Sequence, residues 1–155
     1  MAFWLSGLDP APYAPLFSLD DQALRRHGAR RVMADSDTGY PCRVSLEDAR
    51  AGEVLLLLPY EHLPAPSPYR ACGPVFVRQG ARRRTLAPGH VPAYLSRRLV
   101  SLRAYDAGGM MRAADVADGT AIAGTLTRMF ADPAVGMIHL HNTRHGCYLC
   151  LAGRG

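Results

Sequence analysis

The sequence predicts an α+β fold in which an antiparallel or mixed β-sheet packs against about two helices, with residues 1–155 forming a single domain. Segments with strand character outnumber helical segments, and short turns between strands favour antiparallel pairing. A chain of 155 residues is long enough to bury about 70% of its unfolded surface in one domain. Its 48% hydrophobic and 20% charged residues are typical of globular proteins.

The first half of the chain contains one predicted helix followed by strands. Ser18 and Asp21 form a pattern like a capping box, so the helix should begin after Ser18, run to His27 and end at Gly28. Strands are then expected over residues 30–34, 42–46 and 54–60, the last of them buried and central. The proline-rich residues 64–68 predict an extended loop.

The second half of the chain contains a further strand, two hairpins and a second helix. A strand is expected over residues 74–78 and a helical turn over residues 92–97. The sequence Asp-Ala-Gly-Gly predicts a hairpin turn between strands 99–105 and 110–116. Asp118 should cap a helix that continues to Phe130, with Ile122, Leu126 and Met129 on the same apolar face. A final hairpin should pair residues 135–141 with residues 147–151.

The basic character of the chain does not indicate a nucleic-acid-binding protein. The net charge is +5, and all 18 strongly basic residues are arginine, which is typical of a GC-rich genome. The only basic run, residues 82–84, is typical of a solvated loop. Nucleic-acid-binding proteins usually carry a larger basic stripe or a recognisable motif. We therefore expect no nucleic-acid partner.

Apolar and cysteine patterns predict a cytoplasmic protein. No apolar run approaches the roughly 20 residues of a membrane span, and the N-terminal residues lack the basic segment of a signal peptide. Four cysteines stand at irregular positions, which disfavours a disulfide scaffold. They are Cys42, Cys72, Cys147 and Cys150. Free thiols in a reducing compartment are therefore expected, without membrane association.

The C-terminal hairpin gathers the side chains best suited to chemistry. His139 and His141 share one strand face, and a five-residue loop would place His141 opposite Cys147, with Cβ atoms about 5 Å apart. Cys147 would then act as a thiolate nucleophile and His141 as its base. Asn142 could orient the imidazole. We therefore select Cys147, His141, His139 and Asn142 as candidate catalytic residues.

Two other interpretations of this hairpin stay open. One is a metal site of His139, His141 and Cys147, completed by His145 or Cys42. The other is purely structural, with His139 as a satisfied polar residue and Cys147 as a small core residue. We assign no metal ligand and identify no cofactor from the sequence.

Several arginines and polar residues are candidates for ligand binding. Arg43 and Ser45 should share a strand face, as should Ser101, Arg103 and Tyr105. Three arginines would bind an anion if they converged. The candidate ligand-binding residues are Arg43, Ser45, Arg70, Arg103 and Tyr105. Glu61 and His62 could act as acid and base, although a histidine at a strand end more often caps backbone groups or meets solvent.

A series of motifs resembles the small bacterial proteins catalogued as domain of unknown function 1203. The motifs are Gly39-Tyr40-Pro41-Cys42-Arg43-Val44-Ser45-Leu46-Glu47-Asp48-Ala49, Gly52-Glu53, Tyr60-Glu61-His62, Pro68-Tyr69-Arg70, Gly73-Pro74-Val75-Phe76-Val77-Arg78, Ser101-Leu102-Arg103-Ala104-Tyr105-Asp106, His139-Leu140-His141-Asn142 and Gly146-Cys147-Tyr148. The resemblance implies no established activity, cofactor or substrate. It implies that His139, His141, Asn142 and Cys147 belong to a family pattern, from which His145 and Cys150 depart.

These observations together predict a polar pocket lined by histidine, cysteine and arginine. Such a pocket would suit a small anionic or carbonyl-bearing ligand and thiol–imidazole chemistry. The alternatives are a non-enzymatic binding or interaction module and a protein that binds metal through histidine and cysteine. The sequence indicates neither a substrate nor an oligomeric state.

Overall fold

The computed structural model describes residues 2–155 and contains two five-stranded sheets and three α-helices. The strands are β1 (Phe3–Ser6), β2 (Arg30–Met33), β3 (Pro41–Cys42), β4 (Glu47–Asp48), β5 (Val54–Leu63), β6 (Ala71–Arg78), β7 (Leu99–Tyr105), β8 (Met111–Asp118), β9 (Met137–Asn142) and β10 (Tyr148–Arg154). The helices are α1 (Asp21–Arg26), α2 (Ala93–Ser96) and α3 (Ile122–Met129). The predicted α+β class is confirmed, but the expected single sheet is in fact two sheets.

The first sheet has the strand order β1-β10-β9-β7-β8 and is antiparallel throughout. One of its faces packs against α3. Leu102 of β7, Leu140 of β9 and Leu126 of α3 belong to the same buried core. Because side chains alternate along a strand, positions 101, 103, 139 and 141 point away from this core.

The second sheet has the order β2-β5-β6-β3-β4, in which only the β3–β6 pair is parallel. Leu56 of β5, Val75 of β6 and Leu24 of α1 belong to a second hydrophobic core. Tyr148 of β10 also belongs to that core, so the first sheet contributes a side chain to the core of the second.

The helix predicted to start after Ser18 begins instead at Asp21. Residues Ala14–Ser18 form a 3₁₀ turn, and the side chain of Asp20 accepts a 2.7 Å hydrogen bond from the Ala23 N–H. Asp20 is therefore the N-cap residue. The helix ends as predicted, because Gly28 adopts a left-handed φ of 69°.

Residues 43–46 form the turn between β3 and β4 rather than the predicted strand over residues 42–46. Backbone groups of this turn bond to distant segments. The Leu8 N–H donates to the Arg43 carbonyl at 2.8 Å, and the Arg84 N–H donates to the Val44 carbonyl at 3.0 Å. Because these partners satisfy the backbone, the segment needs no strand ladder, and positions 43 and 45 share no strand face.

The strand β5 continues three residues beyond its predicted end at Tyr60. Its pairing with β6 is regular up to Tyr60 and resumes at Leu63 after an irregularity. Such a bulge redirects the side chains within it. His62 lies inside this irregular segment, and β5 thereby places it next to the first sheet.

Other predicted elements agree closely with the structure. The hairpin β7–β8, the helical turn α2, and the apolar face of α3 lie at the expected positions. The side chain of Asp118 accepts a hydrogen bond from the Thr120 N–H, which opens a 3₁₀ turn leading into α3. Within residues 2–155, no helix has the length and apolar character needed to cross a membrane.

Candidate functional site

Two histidines of β9 form one side of a buried cluster. The side chains of His139 and His141 are only 2% and 1% exposed. They point away from the α3 core, because Ile138 and Leu140 of the same strand occupy that core. This confirms the prediction that both histidines share one strand face.

The third member of the cluster is His62, which reaches the same point from the second sheet. Its ring centroid lies 4.9 Å from that of His141 and 5.7 Å from that of His139. One ring nitrogen of each histidine lies within 4.8 Å of the corresponding nitrogens of the other two. We refer to His62, His139 and His141 as the histidine cluster.

The hydrogen bonds of the histidine cluster leave ring nitrogens without partners. Nδ1 of His141 lies 3.0 Å from the Gly146 carbonyl. A carbonyl can only accept, so this nitrogen carries the proton and Nε2 presents its lone pair. Nε2 of His141 is buried without a partner, as are Nδ1 of His62 and Nδ1 of His139. An unsatisfied buried polar group costs about 1–3 kcal/mol, so three at one point are unusual.

Burial keeps these imidazoles uncharged. Removal from water is the largest cause that lowers the pKa of His139 to about 3 and that of His141 to about 4. Burial also lowers the pKa of His62. The Arg103 guanidinium lowers the pKa of all three histidines further. All three rings are therefore neutral near pH 7, the state in which imidazole binds metal ions.

Tyrosine rings surround the histidine cluster. The Tyr148 ring stacks on that of His62, with centroids 5.5 Å apart and planes within 10°. Tyr105 packs edge-on against His139 at 5.2 Å. These rings fix the positions of the imidazoles and keep their surroundings poor in water.

Arg103 is the cation associated with the histidine cluster. In the register between β7 and β9, Arg103 pairs with His139 and Ser101 pairs with His141. Directly opposed residues of an antiparallel pair project to the same face. Arg103 and Ser101 therefore line the same face of the first sheet as His139 and His141.

Cys147 does not face His141. The register between β9 and β10 pairs His141 with Tyr148, one residue beyond the predicted partner. A shift of one residue sends a side chain to the opposite face of a sheet. Cys147 instead lines a separate cavity of about 140 Å³, together with Asn142 and His145.

Asn142 has a role in the loop rather than next to an imidazole. Its side-chain oxygen accepts hydrogen bonds from the backbone N–H groups of Arg144 and His145, at 3.0 and 3.3 Å. The Gly146 carbonyl, not Asn142, holds the ring of His141. Asn142 thereby shapes the turn that presents this carbonyl.

The predicted ligand-binding residues have different surroundings. Arg43 is buried and donates to the carbonyls of Pro41 and Tyr148. Arg70 is exposed and pairs with Glu61 at 2.7 Å. The side chain of Arg103 hydrogen-bonds Tyr105, so the three arginines have separate sets of hydrogen-bond partners. Ser45, Arg43 and Tyr105 are buried. Arg103 and Tyr105 contact or face the histidine cluster, and the charge of Arg43 also lowers the pKa of His141.

His62 is the member of the histidine cluster that was not predicted from the sequence. The predicted end of β5 at Tyr60 left His62 at a strand end, where a histidine more often caps backbone groups or meets solvent. A usable signal was the chain that follows, because Leu63 is apolar and the prolines begin only at position 64. Strand β5 could therefore have been extended past His62.

The fold and the cluster define a two-sheet α+β protein with a buried centre of three neutral histidines. A family model described as Protein of unknown function (DUF1203) matches residues 39–154. The chain belongs to this family, which confirms the resemblance seen in its motifs. All three histidines lie within the matched residues. No curated protein and no solved structure matches the chain.

Proposed function

We propose that this protein binds a divalent transition-metal ion of the zinc class through His62, His139 and His141. The observation that carries the proposal is the convergence of three imidazoles, whose ring nitrogens lie within 4.8 Å of one another. Each ring has a buried nitrogen without a hydrogen-bond partner. A metal ion bound by one nitrogen of each ring would supply a partner that the protein itself does not.

The geometry requires only a small adjustment to accept the ion. Zn–N bonds of ~2.0–2.1 Å in a tetrahedral site place ligand nitrogens about 3.4 Å apart. Ring rotations that bring nitrogens up to 4.8 Å apart to a spacing of about 3.4 Å would therefore allow all three to bond the ion. The ring of His141 needs the least reorganisation, because the Gly146 carbonyl already fixes its tautomer.

Three protein ligands leave the fourth position of a tetrahedral ion open. Structural zinc sites are usually closed by four protein ligands, whereas catalytic sites keep one position for water or substrate. The metal group within residues 2–155 contains three histidines and neither cysteine nor carboxylate. The proposed centre is therefore one that polarises or exchanges a bound ligand.

Metal analysis of the untagged protein tests the proposal. We expect about one zinc or similar ion per chain in protein purified without chelator, measured by native mass spectrometry and elemental analysis. His62→Ala should lose the ion, because two histidines bind a divalent ion far more weakly than three. A stoichiometric ion that survives His62→Ala would contradict the site.

Two control variants separate this site from the one that the sequence first suggested. Cys147→Ser should keep the ion, since Cys147 lines a cavity to which His141 does not contribute and lies outside the histidine cluster. His145→Ala should also keep it, because His145 is exposed and outside the cluster. Loss of metal in Cys147→Ser but not in His62→Ala would instead favour ligation by the thiol.

We also propose a location in the bacterial cytoplasm. All four cysteines are free thiols, which suits a reducing compartment. The exclusive use of arginine as the strongly basic residue fits a GC-rich bacterial genome. Fractionation of the native host, with detection by antibody, tests this location.

A further inference from the structure

We propose that the metal centre binds a small oxyanion, a carboxylate or a phosphate, with one oxygen at the open metal position and another held by Arg103. The inference rests on the proposed metal site and names the ligand class that the site would accept. It follows from three features: the charge of the centre, the lack of a carboxylate partner for Arg103, and the tyrosines around the cluster.

The charge of the centre favours an anion. Neutral imidazoles add no charge, and no carboxylate of residues 2–155 belongs to the cluster. A divalent ion beside the Arg103 guanidinium would therefore bring a local charge of about +3. Uncompensated charge in a partly buried site is costly. An exogenous anion is the group that would neutralise it.

Arg103 can hold that anion, because the partner of its side chain is a neutral hydroxyl, that of Tyr105, and not a carboxylate. Seven ion pairs between arginine and carboxylate occur among residues 2–155, and none of them includes Arg103. Its side chain is only half-buried, so a solute can reach it. Register places it beside His139 on the face of the sheet that carries the cluster. The planar guanidinium binds two oxygens of one oxyanion in parallel.

The surroundings favour a small ligand. The rings of Tyr105 and Tyr148 lie 5.2 and 5.4 Å from the His139 ring and form walls close to the cluster. Ser101 pairs with His141 across the strands and offers a hydroxyl on the same face. Aromatic rings this close to the cluster favour a ligand of a few non-hydrogen atoms over a large substrate.

Titration of the cobalt-loaded full-length protein tests the inference. Co²⁺ replaces zinc in nitrogen sites and reports changes in its coordination through visible absorption. Sodium acetate, sodium phosphate and neutral acetamide would be added separately at constant ionic strength. We expect acetate or phosphate to change the spectrum saturably and acetamide to leave it unchanged. The comparison of acetate with phosphate identifies which oxyanion fits.

Arg103→Gln separates the role of the arginine from metal binding. It should keep the cobalt spectrum of the anion-free protein but bind the oxyanion about 10- to 100-fold more weakly, the worth of charge-assisted hydrogen bonds. Arg128→Gln is the matched control, because Arg128 lies on α3 and pairs with Asp115. It should bind the oxyanion like the wild type.

The outcomes distinguish this inference from the proposed function. A cobalt spectrum that neither acetate nor phosphate alters would overturn the oxyanion site and leave the metal site standing. Equal oxyanion affinity in the wild type and in Arg103→Gln would also overturn the oxyanion site and leave the metal site standing. A wild-type protein that binds no cobalt would overturn both.

Discussion

At the residue scale, the histidine cluster combines three properties that seldom occur together. His139 and His141 are almost fully buried, they are uncharged, and each has a ring nitrogen without a partner. Buried polar groups normally find hydrogen bonds. The arrangement therefore lowers the stability of the metal-free protein and favours the binding of an ion.

The depressed pKa values make the stability of the metal-free protein sensitive to acid. In the unfolded chain, histidine takes up a proton near pH 6.5, whereas folded His139 and His141 resist protonation down to about pH 3 and 4. Stability should therefore fall as pH falls from about 6.5 to 5, by up to about 1.4 kcal/mol per pH unit for each histidine. Above pH 6.5 the effect is absent, because both histidines are neutral in the folded and in the unfolded protein.

Urea unfolding of chelator-treated protein at several values between pH 7.5 and 5 measures this slope. Replacing both His139 and His141 by Gln should flatten it, whatever the change in absolute stability. His27→Gln should leave the slope unchanged, because His27 is exposed and lies outside the cluster. An equal slope in the double variant and the wild type would contradict the prediction.

At the element scale, the most instructive differences from the sequence analysis lie at element ends and in register. Strand β5 extends past His62, and the hairpin β9–β10 is shifted by one residue. Neither difference changes the type of element. Each changes which side chains meet, because the two faces of a strand alternate with every residue.

The start of α1 provides a direct test of one corrected boundary. Asp20→Ala should destabilise the protein by about 1 kcal/mol, the usual cost of losing an N-cap, because Asp20 accepts the Ala23 N–H. Ser18→Ala should have little effect, since Ser18 ends the preceding 3₁₀ turn and the N-cap of α1 is Asp20. Urea unfolding of both variants measures the difference. A larger loss in Ser18→Ala would restore the capping box predicted from the sequence.

At the scale of the whole molecule, the histidine cluster joins the two sheets. His62 comes from the second sheet and His139 and His141 from the first. A metal ion bound only by the folded cluster would stabilise the fold by about 2.7 kcal/mol at a concentration 100 times its Kd. Thermal unfolding with zinc and with chelator measures this shift.

The stabilisation by zinc should disappear in His62→Ala and persist in His145→Ala. The predicted single domain adds a further expectation, namely that both sheets unfold in one transition. If zinc raises the melting temperature of His62→Ala as much as that of the wild type, the ion binds elsewhere. Two separate transitions, only one of them responsive to zinc, would instead indicate two domains.

The sequence by itself determined the class of fold and most of its elements. The apolar face of α3, the turn between β7 and β8, and the shared face of His139 and His141 all follow from local periodicity. These features depend on residues within a few positions of one another. The family was likewise evident from short motifs in order along the chain.

Only the tertiary structure decided which functional side chains meet. His62 and His139 are far apart in sequence, and their contact depends on the packing of two sheets and on a bulge in β5. The separation of Cys147 from His141 depends on a register shift of one residue. Local sequence patterns do not encode such long-range positions, because many sheet arrangements satisfy the same alternation of apolar and polar residues.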